Sequence, residues 1–464
     1  MIRSLRSSLL AGVVILLGVT VFSVAASRAA DPEWRVGVAR TKITPEQPVF
    51  LAGYASRNKP FERVETDLFA KALALEDRQG NRAVLVTTDL IGLSAAVAEP
   101  ICERLHETAG LARQQILLNS SHIHTGPALS LSGAPAENRS SGDAERTVAY
   151  TKQLQGKIVD VVRQALKHLE PARLSHGVGV VNFVMNRREF TPRGVILGVN
   201  ARGQADRSVP VLRIESPDGK LRAVLFGAAC HNTTLTDKDY MVSGDYAGYA
   251  QSYVETQHPR AEALFMIGCA GDANPYPRGS LELARAHGES LGKEVCRVLA
   301  TRLQPVRGPL HVAFDKADLP LQTPPAREEL DKLAARERGV PGWVAKQMLA
   351  RLERGEKLPA HYTCPLAVWQ FGNDLTLIGL SGEVVVDYVG LLEEAVGPTH
   401  LWIAAYCNDV FGYVPSARVL REGGYETRGL YAGGIGYFDP RAQDLLVAKV
   451  RELAKKAGRS LPKQ

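Results

Sequence analysis

The chain has 464 residues, of which 45% are hydrophobic and 23% charged, a globular balance with material for a large core that excludes a disordered protein. No heptad, Gly-X-Y period or repeat of roughly 20–50 residues runs through it, which excludes coiled coils, collagens and solenoids. The formal charge of +7 includes Arg3, Arg6 and Arg28 of a leader without acids, so the mature balance is +4, too little to imply nucleic acid; an acidic surface or lipid headgroup is compatible with it and not required by it.

Residues 1–30 read as a secretory signal: Arg3 and Arg6 precede an apolar run from Leu9 to Val24, followed by small residues up to Ala30. The run is shorter than the roughly 20 residues of a spanning helix. Cleavage would give a secreted or periplasmic protein; the alternative is an uncleaved anchor. The rest, 31–464, reads as one domain, since no segment is rich enough in Pro, Gly or Ser to be an interdomain linker.

In chain order, strands are predicted at Phe69 to Asp77, Ala83 to Leu90, Gln115 to Ser121, Val178 to Val184, Ala223 to His231, Ala263 to Gly268, Leu375 to Leu380 and Leu401 to Ala405, and helices at Ala95 to Glu107, Glu145 to Leu169, Leu281 to Arg302 and Val384 to Glu394. The first two strands are joined by Arg78-Gln-Gly-Asn81, a hairpin turn, so they pair antiparallel. Several strands are solid apolar runs, which suits burial on both faces. The fold class is therefore α/β, with mixed sheets covered by helices. Thr323 to Leu358 is a charged helical insertion broken at Gly339-Val-Pro-Gly342, read as a solvated surface feature, with a lid or membrane-facing flap as the alternative. The cysteines at 102, 230, 269, 296, 364 and 407 form no CxxC pair and read as buried small hydrophobes, their disulfide state left open.

Chemistry is carried where apolar strands run into polar residues, because loops leaving strand ends of an α/β sheet converge on the ligand crevice. Ile116 to Ser121 delivers His122-Ile-His124-Thr-Gly-Pro127; Ala223 to Cys230 delivers His231; Leu375 to Leu380 delivers Ser381-Gly-Glu383. The two imidazoles share a face while the strand persists; if the chain turns near Gly126, one can bind a metal while the other faces substrate. Each residue has an ordinary alternative: a hydrogen-bonded histidine pair, a Glu383 serving the positive end of a following helix, a packed Tyr413, an Asp272 building a turn with Asn274-Pro275, and a charged turn at Asn186-Arg187-Arg188.

Together these segments resemble the neutral, non-lysosomal ceramidase family, specifically its zinc-bearing N-terminal catalytic domain. The resemblance runs in order through Val36-Gly-Val-Ala-Arg-Thr-Lys-Ile-Thr-Pro45, Leu51-Ala-Gly-Tyr54, His122-Ile-His124, Asn186-Arg187, His231, Ser243-Gly-Asp245, Gly271-Asp272, Gly382-Glu383 and the stretch from Asn408 to Glu426. It implies that His122, His231, Glu383 and Tyr413 hold Zn2+, and that His124, Arg187 and Tyr425 contact the substrate amide or the developing oxyanion. The implied reaction is hydrolysis of an N-acyl bond in a small-molecule or lipid substrate, with the zinc activating water and polarising the carbonyl. A peripheral membrane contact is compatible with this, and no protein partner is implied. The sequence departs from the family where Asn274 replaces a serine and where no C-terminal immunoglobulin-like domain follows, so a serine-dependent step is not expected, strict ceramide specificity does not carry over, and Asn274 is expected to orient substrate. Two rival readings on the same scaffold are a metal-holding binding protein without catalysis and a metallo-esterase or sugar deacetylase.

Overall fold

In the computed structural model of the chain, residues 33–132, 140–336, 339–430 and 434–462 are described; the leader read over 1–30 lies outside them. Strand Phe69–Asp77 shows how the layers are built. Its side chains alternate, and both faces are buried: Ala70, Ala72 and Ala74 pack toward helices Ala95–Ala109 and Ser141–Lys167. Leu73 and Leu75 instead join Trp369, Phe371, Leu375, Leu377 and Trp402 of a second sheet. A strand buried on both faces loses its polar alternation, hence the solid apolar run.

The larger sheet is mixed. From one edge it runs Glu262–Ile267, Leu221–Ala228, Ser208–Glu215, Glu170–Val180, Trp34–Lys42, Phe69–Asp77, Arg82–Thr88 and Ile116–Ser120, with Gln304–Val306 paired to Glu170–Val180. Only the two outermost pairs are parallel; the predicted hairpin is antiparallel. The second sheet orders Leu310–Pro320, His361–Phe371, Leu375–Leu380 and Leu401–Ala404. Helices Asp245–Gln257 and Leu281–Leu299 cover the larger sheet, and Asp387–Val396 and Ala442–Lys456 cover the smaller, so two sheets lie face to face between helical layers. The α/β class holds; the second sheet, rather than a helix, covers one face of the central strands, a distinction that an apolar run does not encode.

Three local readings are corrected. The segment Val178 to Val184 is not one strand: Glu170–Val180 ends, and after Val181 to Phe183 a new strand, Val184–Thr191, enters a separate sheet with Gly194–Asn200 and Ala273–Pro275. The helix predicted from Val384 begins at Asp387. Glu383 and Val384 form a parallel ladder with Tyr413 and Val414, because Gly382, at φ +79°, turns the chain so that the Glu383 N–H donates to the Gly412 carbonyl at 2.8 Å. Asn186-Arg187-Arg188 is no charged turn but buried strand.

The insertion forms helices Arg327–Arg336 and Val340–Glu353 around Leu330, Val344, Ala345, Met348 and Leu349. All six cysteines are free thiols, and all but the partly exposed Cys296 are buried. Among the described residues no helix is long and apolar enough to cross a membrane.

Candidate metal centre

Four strand exits meet at one point. After Ile116–Ser120 the chain kinks at His122, at φ +62°, so the strand does not persist through His122 and His124. The His122 N–H donates to the Leu90 carbonyl at 2.8 Å. Asn232, just beyond Leu221–Ala228, ties this loop to its own: its side chain donates to the Ser121 carbonyl at 2.6 Å and accepts from the Ala247 N–H at 3.0 Å. Both strand exits are thereby fixed relative to each other before any ligand arrives.

His122 Nδ1 lies 2.6 Å from the Ile91 carbonyl, and His231 Nδ1 lies 2.7 Å from the Ala270 carbonyl. A carbonyl only accepts, so each Nδ1 carries the proton and each Nε2 presents a lone pair, the arrangement of metal-binding imidazoles. Glu383 Oε2 sits 3.2 Å from His122 Nε2 and 3.1 Å from His231 Nε2, and the Tyr413 hydroxyl is 3.4 Å from His231 Nε2. Burial opposes charge on Glu383, but the two imidazoles outweigh it and hold the carboxyl well below its usual range. Burial, with Arg187 and His122 acting in the same direction, lowers His231 to about 3, so it is neutral at physiological pH.

His124 Nε2 is 3.2 Å from His122 Nε2, and His122, His124 and His231 form a group that could hold a metal ion. His124 nevertheless differs from the other two, because its buried Nδ1 has no hydrogen-bond partner and its Nε2 faces the His122 lone pair, to which it donates. Burial, reinforced by His122 and His231, keeps it neutral, well below its ordinary pKa. Its ring occupies space that only glycine leaves at position 53: a Cβ there would lie 2.4 Å from His124 Cγ and Nδ1.

Strand Val184–Thr191 brings in Arg187, buried. Its Nη2 donates to the Tyr413 hydroxyl at 2.9 Å, its Nη1 to Asn274 Oδ1 at 3.2 Å and its Nε to Glu426 Oε1 at 3.0 Å. Burial pushes the Tyr413 phenol well above its ordinary pKa, while Arg187 pulls it down. Asn274 Oδ1 also accepts from the Thr233 hydroxyl at 3.2 Å, which leaves the amide NH2 as its donor. Tyr425 meets the group through its ring, edge-on to Tyr413 at 5.5 Å.

Glu426 and Tyr406 had no role assigned from the sequence, and Asp272 had only that of a turn residue. Buried Glu426 bridges Arg187 and Arg188, the second at 2.6 Å. Asp272, in the turn Ala270 to Ala273, accepts from the Val386 N–H at 2.8 Å and from Asn186 Nδ2 at 3.2 Å, and burial raises it to about 6. Tyr406 packs its ring 4.4 Å from that of His122. The one signal available was Glu426 itself, an acid directly after Tyr425; its partners are more than two hundred positions away.

A tetrahedral ion with bonds of roughly 2.0–2.1 Å separates its ligand atoms by about 3.3–3.4 Å. Three spacings, His122 to Glu383, His231 to Glu383 and His231 to Tyr413, lie at 3.1–3.4 Å and match that figure, as does His122 to His124 at 3.2 Å. Two imidazoles, an ionised carboxylate and a phenol suit a divalent metal ion, and a bound cation would help the phenol ionise.

Residues 34–315 match the family model described as neutral/alkaline non-lysosomal ceramidase, N-terminal. Among curated proteins the chain is similar to neutral ceramidase A of Dictyostelium discoideum, 27% identical over 274 residues, covering 54% of this chain and 37% of that protein. It is also similar to the neutral ceramidase of Pseudomonas aeruginosa, 28% identical over 257 residues, covering 54% and 38%. The matched region thus spans well under half the length of these relatives. The crystal structure of the Pseudomonas aeruginosa neutral ceramidase superposes with a TM-score of 0.69 at 22% identity, over 94% of this chain and 76% of that one, a likeness of fold.

Proposed function

Because the chain belongs to the neutral/alkaline non-lysosomal ceramidase family, we propose that it is an exported zinc-dependent hydrolase of an N-acyl bond, acting on an amphiphilic, ceramide-like amide. The observation that carries this reading is the convergence of two imidazoles, a carboxylate and a phenol from distant segments at the ligand spacing of one ion. His122, His231, Glu383 and Tyr413 would hold that ion, which when bound supplies water activation and Lewis-acid polarisation of a carbonyl.

The chain's own residues do the rest. His124, neutral and adjoining the donors, accepts a proton at its unprotonated nitrogen or donates from the other. Arg187, a buried cation, is placed to bind an oxyanion as charge develops on the substrate oxygen; well-placed donors of this kind are worth about 3–4 kcal/mol. Tyr425, whose ring centre lies 5.8 Å from the Arg187 guanidinium carbon, contacts the substrate amide or the same oxyanion. The amide NH2 of Asn274 orients substrate and, unlike serine, can be neither nucleophile nor proton carrier.

The test is turnover on a panel of N-acyl and O-acyl substrates, ceramide included, with the metal content measured alongside. Chelation or His231→Ala is expected to abolish turnover in protein that stays folded, and zinc to restore it after chelation. Undiminished turnover in metal-free protein overturns the reading. Bound zinc with no turnover on any substrate favours a binding protein, and faster O-acyl cleavage favours an esterase. Export is checked by N-terminal sequencing of the mature protein.

A further inference from the structure

The hairpin of Val184–Thr191 and Gly194–Asn200 has a buried base and an exposed tip. Its base supplies Arg187 to the metal centre and pairs Arg188 with Glu426. Toward the tip, Phe190 is 59% exposed and Ile196 and Leu197 48%, and Val199, level with the base, is 43% exposed. Scattered apolar residues on a surface are ordinary, but a contiguous set on one projecting element marks a contact.

The register identifies the kind of contact. Phe190 stands opposite Val195 and Arg188 opposite Leu197, so Phe190 and Leu197 share one face; Ile196 stands opposite Glu189 and projects from the other. A flat protein partner covers one face of a two-stranded ribbon, whereas an apolar medium surrounds both. The exposed charge agrees. Arg193 in the turn and Arg202 just past the hairpin are exposed, and neither has a carboxylate partner among the described residues. The hairpin's own acid, Glu189, is occupied in accepting from the Val199 N–H at 3.1 Å. Apolar side chains with an unpaired arginine at each end of the hairpin complement an anionic lipid surface.

We propose that this hairpin is a membrane-docking element, its tip entering the headgroup region of an anionic bilayer with Arg193 among the phosphates and Arg202, at the base, adding attraction from further out. Phe190 lies three positions along the strand from Arg187, about 10 Å, so docking holds the metal centre close to the lipid surface. That consequence for substrate access rests on the amidase reading; the docking itself does not.

The experiment is cosedimentation of the purified full chain with vesicles of phosphatidylcholine alone and of phosphatidylcholine with phosphatidylserine, compared with Phe190→Ser/Ile196→Ser/Leu197→Ser and with Arg193→Gln/Arg202→Gln. The wild type is expected to prefer phosphatidylserine vesicles, more weakly at high salt. The apolar triple variant is expected to lose at least about tenfold in partitioning, and the arginine variant to lose the preference for phosphatidylserine. Circular dichroism and metal content verify folding, and Leu197→Glu alone replaces the triple variant if that fails to fold. No wild-type partitioning, or equal partitioning by the variants, overturns the proposal. So does a wild-type dimer that the triple variant dissolves with vesicle binding unchanged, which makes the hairpin an interface between copies of the chain. Binding is read without turnover, so the docking and amidase readings can fail separately.

Discussion

Gly53→Ala tests whether His124 is held beside the metal donors rather than among them. The new Cβ would fall 2.4 Å from two atoms of the His124 ring, against a normal carbon contact of about 3.5–4.0 Å, so the ring must retreat by roughly 1 Å. Position 53 sits at φ +91°, which costs an L-residue about 1–2 kcal/mol, a loss that a fold stable by about 5–15 kcal/mol survives. A displacement of this size in a catalytic group lowers rates by about 10²-fold. The assay pairs turnover with zinc stoichiometry: the expected result is a drop of that order with full metal content, because His122, His231, Glu383 and Tyr413 do not touch Gly53. Wild-type turnover would refute the role given to His124. Loss of zinc together with activity would make His124 a ligand and refute the donor set.

Glu426→Gln keeps the side chain's shape but leaves Arg187 without a buried counter-ion; breaking such a pair costs about 3–5 kcal/mol, read as a lower denaturation midpoint, and unchanged stability would remove Glu426 from the framework. Asn274→Ala deletes the acceptor for Arg187 Nη1 at 3.2 Å; hydrogen bonds of charged groups are worth about 1.5–3 kcal/mol, so turnover should fall about 10- to 100-fold with zinc retained, and an unaffected rate excludes a role in positioning. The pH dependence follows from His231, lowered from 6.5 to about 3. The unfolded chain takes up the proton first as pH falls below 6.5, so stability is lost on acidification. In metal-free protein, His231→Gln should therefore gain on the wild type by about 1.4 kcal/mol per pH unit below 6.5; denaturant melts from pH 7 to about 5 check this, and a constant difference contradicts it.

What the sequence made legible follows from where each signal lies. His122, His231 and Glu383 each end an apolar run, and that local transition sufficed to single them out. Tyr413 was marked only as a phenol in a loop after a strand, and its ligand role, like Tyr425 altogether, came from resemblance. Arg187 and Arg188 looked like a solvated turn because two adjacent guanidiniums need a buried carboxylate to enter a core, and theirs is Glu426, at the far end of the chain. The short ladder of Glu383 with Tyr413 was hidden for the same reason: two-residue pairing between remote segments leaves no period to detect. Strand Phe69–Asp77 was clear as a strand, but whether a helix or a sheet lay on each side was not.

The order of the donors along the polypeptide constrains when a cation can be captured. His122 and His231 are synthesised early, but Glu383 and Tyr413 stand side by side on a ladder that exists only when the last third of the chain has folded. A nascent or truncated product ending before position 383 therefore presents two imidazoles without the acids that complete the cage. With the proposed donor set, metal loading would be a late step of maturation, and metal content would report whether a molecule has finished assembling.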